Sequence, residues 1–116
     1  MSQCATAPGR TTMKPLLNNT KWDELRLAMH VLSSHKPRWR TKDLSGYLSM
    51  WDVDWYYHFR VGGYKTIEWV ELEIETSDQD AAVLAVLRQI HVPGRRIESG
   101  YRIYGYVPDG EAIEYL

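Results

Sequence analysis

Nine of the chain's fourteen aromatic residues fall between Trp39 and Trp69: Trp39, Tyr47, Trp51, Trp55, Tyr56, Tyr57, Phe59, Tyr64 and Trp69. Successive side chains of a strand point to opposite faces, so one short stretch of sheet cannot hide this much ring surface on its core side. Trp and Tyr join large apolar area to a polar tip and lose little side-chain entropy on contact. The surplus rings are therefore expected to meet a partner.

A chain of 116 residues is long enough for one hydrophobic core without metal or disulfide support. With 44% hydrophobic and 25% charged residues it reads as an ordinary globular domain rather than a disordered one. The net charge of -1 hides an asymmetry: residues 1–66 carry ten Lys/Arg against five Asp/Glu, and residues 67–116 carry four against ten, giving halves of +5 and -6. Pairing between the halves satisfies much of this charge internally, which argues against a molecule-wide field for nucleic acid. Cys4 is the only cysteine, so there is no disulfide framework, and a reducing cytoplasmic setting is expected. No apolar run reaches membrane-spanning length, and Met1-Ser2-Gln3-Cys4 lacks the pattern of a secretory signal.

Residues 1–19 show no sustained periodicity and are expected to form a disordered extension, with Met13 an alternative start, leaving 20–116 as a single domain. Thr20 caps a predicted helix from Lys21 to Ser33, with Trp22, Leu25, Ala28, Met29 and Leu32 at helical spacing. Lys36 to Lys42 alternates as a short edge strand, and Val53, Trp55, Tyr57 and Phe59 alternate as a second. Gly62-Gly63 then turns the chain into a third strand, Ile67 to Glu75. Ser77 caps a second helix with Ala82, Val83, Val86, Leu87 and Ile90 in its stripe, ending before Pro93-Gly94. A closing hairpin turns at Pro108-Asp109-Gly110, and Gly105 within it marks a bulge or a close backbone neighbour. The predicted fold is α+β, with the order α-β-β-β-α-β-β: a mainly antiparallel five-stranded sheet with two helices on one face.

Asn19-Thr20-Lys21-Trp22, Trp55-Tyr56-Tyr57-His58-Phe59, Ile67-Glu68-Trp69 and Arg102-Ile103-Tyr104-Gly105-Tyr106 resemble a family of short bacterial proteins of unknown function, from about Asn18 to the C-terminus. The resemblance implies a stand-alone bacterial cytoplasmic domain and carries over no catalytic residue.

Strand alternation would set Asp54, Tyr56, His58 and Arg60 in a row on the non-core face, and Glu71, Glu73 and Glu75 beside Trp69 on the next strand. Together with Trp51, Trp55 and Tyr64 these residues form the expected protein-binding surface, with rings supplying affinity and carboxylates orientation. The preferred reading is a non-enzymatic protein-binding domain. One form is a bacterial immunity-type or antitoxin-type inhibitor laying its glutamates over a basic toxin site; another is a homodimer joined through the open faces or through the edge Arg38 to Lys42.

Two alternatives stand beside it. A small enzyme or ligand-binding protein would use Asp52 or Asp54 with His58 in an acid/base pocket, although spacing alone does not bring these groups together. A single-strand nucleic-acid binder would use Lys36, Arg38, Arg40 and Lys42 with Trp39, against the acid-rich second half. His30 and His35 are five apart and splay on a helix, while His91 suits a helix C-terminus, so neither metal nor cofactor is expected.

Overall fold

The computed structural model describes residues 12–116; Cys4 and the rest of residues 1–11 lie outside the described residues. Strand β1 (Met13–Pro15) precedes helix α1 (Asn19–His30), a 3-10 turn at Ser33–His35 and strand β2 (Arg38–Asp43). A second 3-10 turn (His58–Arg60) leads to β3 (Ile67–Glu73) and helix α2 (Ser77–Ile90). The chain closes with β4 (Gly94–Ile97), β5 (Gly100–Tyr104) and β6 (Tyr106–Pro108). The α+β class is as expected, but the single five-stranded sheet is replaced by a four-stranded antiparallel sheet, β2-β3-β5-β4, and a separate β1-β6 pair.

The two sheet faces follow from register. Trp39 pairs with Leu72, Thr41 with Val70, Val70 with Ile103 and Leu72 with Tyr101, which stacks the apolar side chains toward the helices. Leu25 and Met29 of α1 and Val83, Leu87 and Ile90 of α2 join them in one core. Both helices start one or two residues earlier than expected at their caps. Asn18 accepts from the Lys21 amide and Thr76 from the Gln79 amide, roles assigned in the sequence to Thr20 and Ser77. Among the described residues, no helix is long and apolar enough to cross a membrane.

The expected second strand does not form. Asp52 accepts from the Asp54 amide and Asp54 from the Tyr57 amide, so the short carboxylates turn the backbone where alternation suggested extension. Trp55 and Phe59 are 0% and 3% exposed while Tyr57 between them is 60% exposed, the spacing of a helical turn rather than a strand. Gly62 and Gly63 do adopt positive φ, 83° and 79°, but inside this loop and not at a hairpin. The antiparallel neighbours β2 and β3 are therefore joined by residues 44–66.

The closing hairpin is also different. β5 lies between β3 and β4, so it has no free edge for residues 111–116 to join. The hairpin that forms is β4–β5, and the C-terminal residues return to Val92 and Gly94 through Leu116 N to Val92 O and Gly94 N to Glu114 O. Past Gly105 the chain continues as β6 and pairs with β1, which gives structure to residues 13–15 within the segment expected to be disordered. Gly105 passes so close to β3 that a Cβ there would sit 2.3 Å from the Ile67 carbonyl oxygen, the close approach expected from its position.

Candidate functional site

The face of the sheet away from the helices carries Arg38, Arg40, Trp69, Glu71, Glu73 and Arg102. Glu71 is only 2% exposed there, because Arg40 Nε donates to its Oε1 at 3.0 Å and Arg102 Nε to its Oε2 at 2.9 Å. The same guanidiniums lie over rings, Arg40 4.6 Å from the Trp51 centroid and Arg102 4.3 Å from that of Trp69. Glu73 takes Arg38 Nε at 2.6 Å, and Lys42 lies 3.7 Å from Glu68. This corrects the acidic strip: Glu71 is sealed, Glu73 is paired, and Glu75 lies beyond the end of β3, where its amide is held by the Gln79 side chain. The same pairs engage Arg38, Arg40 and Lys42, and Trp39 belongs to the core, so of the strip read as a nucleic-acid track Lys36 alone lies outside these pairs.

Residues 44–66 first extend β2 as a narrow ribbon, with Lys42 opposite Leu48 and Trp39 opposite Asp52, and this ribbon covers the edge Arg38 to Lys42. The segment then crosses onto the core side, where four contacts fix it. Trp55 Nε1 donates to Pro37 O at 2.9 Å and Trp39 Nε1 to Asp54 O at 3.2 Å. From α1, Arg26 Nη1 donates to Tyr56 O at 2.5 Å, and Asp23 Oδ1 accepts the Tyr64 hydroxyl at 2.5 Å. Burial pushes the Tyr64 phenol up to about 12, helped by the Asp23 carboxylate, while the Tyr64 hydroxyl bond holds Asp23 below the ordinary carboxylate value. Rings of Trp22, Trp39, Trp55, Phe59 and Tyr64 stack among themselves at centroid distances of 4.7 to 5.9 Å.

These anchors remove Trp55 and Tyr64 from the expected contact surface, since both are buried in the monomer. Trp51 is half-buried under Arg40, whereas Tyr56, His58 and Arg60 are exposed as expected. What sequence reasoning missed is the rest of the segment. Eight of the eleven exposed large hydrophobic side chains of the described chain, Leu44, Tyr47, Leu48, Met50, Val53, Tyr56, Tyr57 and Val61, come from residues 44–61, with Met50 85% exposed. A contiguous exposed apolar patch, unlike singly scattered residues, is the kind of surface that partners cover.

The segment also brings Asp52 and His58 together, which spacing did not establish: His58 Nδ1 lies 2.9 Å from Asp52 Oδ2, and its Nε2 lies 3.7 Å from Asp54 Oδ2. The Tyr57 amide, and then the charge of His58, hold the Asp54 carboxyl below its usual value. His58 lines a cleft of about 420 Å³ with Thr41, Asp43, Tyr47, Ser49 and Thr66 over a floor containing Trp39 and Phe59. Because its two ring nitrogens face different carboxylates, the imidazole does not converge with them on one point. Among the described residues there is no group of three or more His, Cys, Asp or Glu arranged to hold a metal ion. His30 packs on Tyr56 at 5.0 Å, the His35 carbonyl accepts from Gln79, and His91 ends α2 with its ring stacked on Tyr115.

Neither the curated proteins nor the solved structures include a match to the chain. A protein-family model covers residues 6–110, beginning upstream of the expected Asn18 boundary, and the chain belongs to that family, the family of unknown function DUF6678.

Proposed function

We propose that this domain binds another protein through residues 44–61. The observation that carries the reading is the concentration of exposed Tyr47, Met50, Val53, Tyr56, Tyr57 and Val61 on a segment whose Trp55 and Phe59 rings are locked into the core. Preorganisation matters here because a segment already fixed by Trp55, Phe59 and Tyr64 loses little conformational freedom on binding. Each large apolar side chain that a partner covers contributes about 1.5–3 kcal/mol of transfer free energy before association costs are met. The immunity-type form of this reading placed glutamates over a basic toxin site; with Glu71 sealed between two arginines, contact would rest on the rings of 44–61 instead. The test is affinity capture from the native host with the wild type and with Met50→Asp/Tyr57→Asp. Loss of a specific partner by a variant that keeps the native circular dichroism supports the reading, and equal recovery by both proteins contradicts it.

A second reading is favoured by the Asp52–His58 contact beside the cleft: a small-ligand or acid/base site in which the carboxylate orients the imidazole. It expects His58 ring resonances to move on titration with a small polar ligand and to stay fixed with Asp52→Asn. A screen in which no compound moves them removes it.

A further inference from the structure

We infer that the protein-contact surface of residues 44–61 pairs with a second copy of this chain across a two-fold axis, an inference that rests on the protein-binding reading above. In a two-fold interface each patch meets its own image, so a surface rich in one charge sign opposes itself. Leu44 to Trp51 carries no formal charge over eight consecutive residues, Leu44-Ser45-Gly46-Tyr47-Leu48-Ser49-Met50-Trp51. Farther along, each copy holds both signs: Asp52 and Asp54 gathered at His58, and Arg60, which makes no ion pair with another described residue and lies 5.8 Å from the Tyr57 ring centroid. One copy therefore supplies both partners of a charge pair, as a self-complementary interface requires.

The other surfaces do not meet this condition. The open sheet face is covered by its own Arg–Glu–Arg array, and the edge Arg38 to Lys42 is occupied by the 48–52 ribbon. At the opposite edge, the C-terminal residues bond Gly94 through the Glu114 carbonyl, Arg96 is drawn to Asp80, and the exposed Arg95 adds a charge that disfavours edge pairing. Of these surfaces, the run Leu44 to Trp51 is the one that combines large exposed apolar side chains with no formal charge. The eight large side chains of residues 44–61, 40% to 85% exposed, offer apolar surface on the order of several hundred Å², the scale of the roughly 800 Å² per partner in a stable interface.

Sedimentation equilibrium of the full chain from about 1 to 500 µM tests this, a range that brackets the affinity of a modest interface. The wild type is expected to move from 13.5 kDa toward twice that mass. Met50→Asp is expected to raise the dimer Kd at least tenfold, and Arg60→Glu to raise it less. As an independent measurement, the Cys4→Ser/Met50→Cys protein should form an intermolecular disulfide under mild oxidation, while Cys4→Ser/Glu98→Cys, at the β4–β5 turn, should not. A single 13.5 kDa species throughout the range overturns the self-association. It leaves the protein-binding reading to be judged by the partner capture described above.

Discussion

The indole of Trp55 donates its Nε1–H to the carbonyl oxygen of Pro37 at 2.9 Å, and neither the ring nor the bond is open to solvent. This contact ties the middle of the 44–66 segment to the start of β2. It divides the aromatic run into rings that hold the segment down and rings that the segment displays. Trp55→Ala should cost about 3–5 kcal/mol, as deletion of a buried large ring does. Tyr57→Ala, two positions away and 60% exposed, should stay within about 0.5 kcal/mol of the wild type. Urea unfolding of the two variants checks the contrast.

Glu71 offers a different test because it is a sealed charge with two cationic partners. Glu71→Gln keeps the shape and removes the charge, leaving Arg40 and Arg102 to face one neutral amide. The arginines are partly exposed, so the loss should be about 2 kcal/mol, below the cost of breaking a fully buried pair. Both guanidiniums lie over indoles, Trp51 and Trp69, so the variant should also change the native-state tryptophan emission before any unfolding begins.

The carboxyls of Asp23, Asp54 and Asp80 are held below the ordinary value of 3.8, Asp23 and Asp80 chiefly by tyrosine hydroxyls and Asp54 chiefly by the Tyr57 amide. A depressed folded-state value means that stability is fully present above the unfolded value and is lost as pH falls through the folded one. The urea midpoint should therefore fall progressively below about pH 4. Tyr64 and Tyr101 work in the opposite direction, since burial raises both to about 12. Their contribution is complete below the ordinary phenol value of 10.0 and lost as pH rises through about 12. Tyr64→Phe should weaken the acid dependence attributable to Asp23, and a urea midpoint measured at several pH values reads both arms.

At Gly105 a Cβ would meet the Ile67 carbonyl oxygen at 2.3 Å and the Trp22 ring at 2.8 Å, so Gly105→Ala must push β5 away from β3 or displace the indole. The expected loss is about 2–4 kcal/mol, at or above the usual range for overpacking because one neighbour is backbone. Gly63→Ala is a useful contrast: its φ of 79° is strained for alanine but its Cβ would meet nothing within 4 Å, so the cost should be nearer 1 kcal/mol. Thermal unfolding of the two proteins should rank them in that order.

Regular periodicity made the second helix, the strand at Ile67 and the strand at Arg38 legible, because each buries one face and its side-chain spacing records which. Gly105 was legible for a related reason, since a glycine inside a strand pattern has few uses. The segment from Val53 to Phe59 was misread because its alternation is real in the sequence and overridden by Asp52 and Asp54, whose side chains bond nearby amides and turn the chain. The β4–β5 hairpin was hidden because Arg95 and Arg96 give β4 an exposed polar edge, and β1 was hidden because its pairing comes from the distant Tyr106–Pro108. On the exposed part of the segment, Tyr56, His58 and Arg60 were expected from the alternation that would have placed them on the non-core face. Tyr47, Leu48, Met50 and Val53 were missed because only the folded path of the loop shows that nothing covers them.

If residues 44–61 contact a protein partner, as proposed, a photo-crosslinking side chain at the 85% exposed Met50 will capture it. Irradiated in cells of the native host, this protein should give a discrete covalent adduct, with itself or with another protein, while the same probe at Glu98 gives none. No adduct at Met50 beyond that seen at Glu98, from protein with native circular dichroism, would contradict the account.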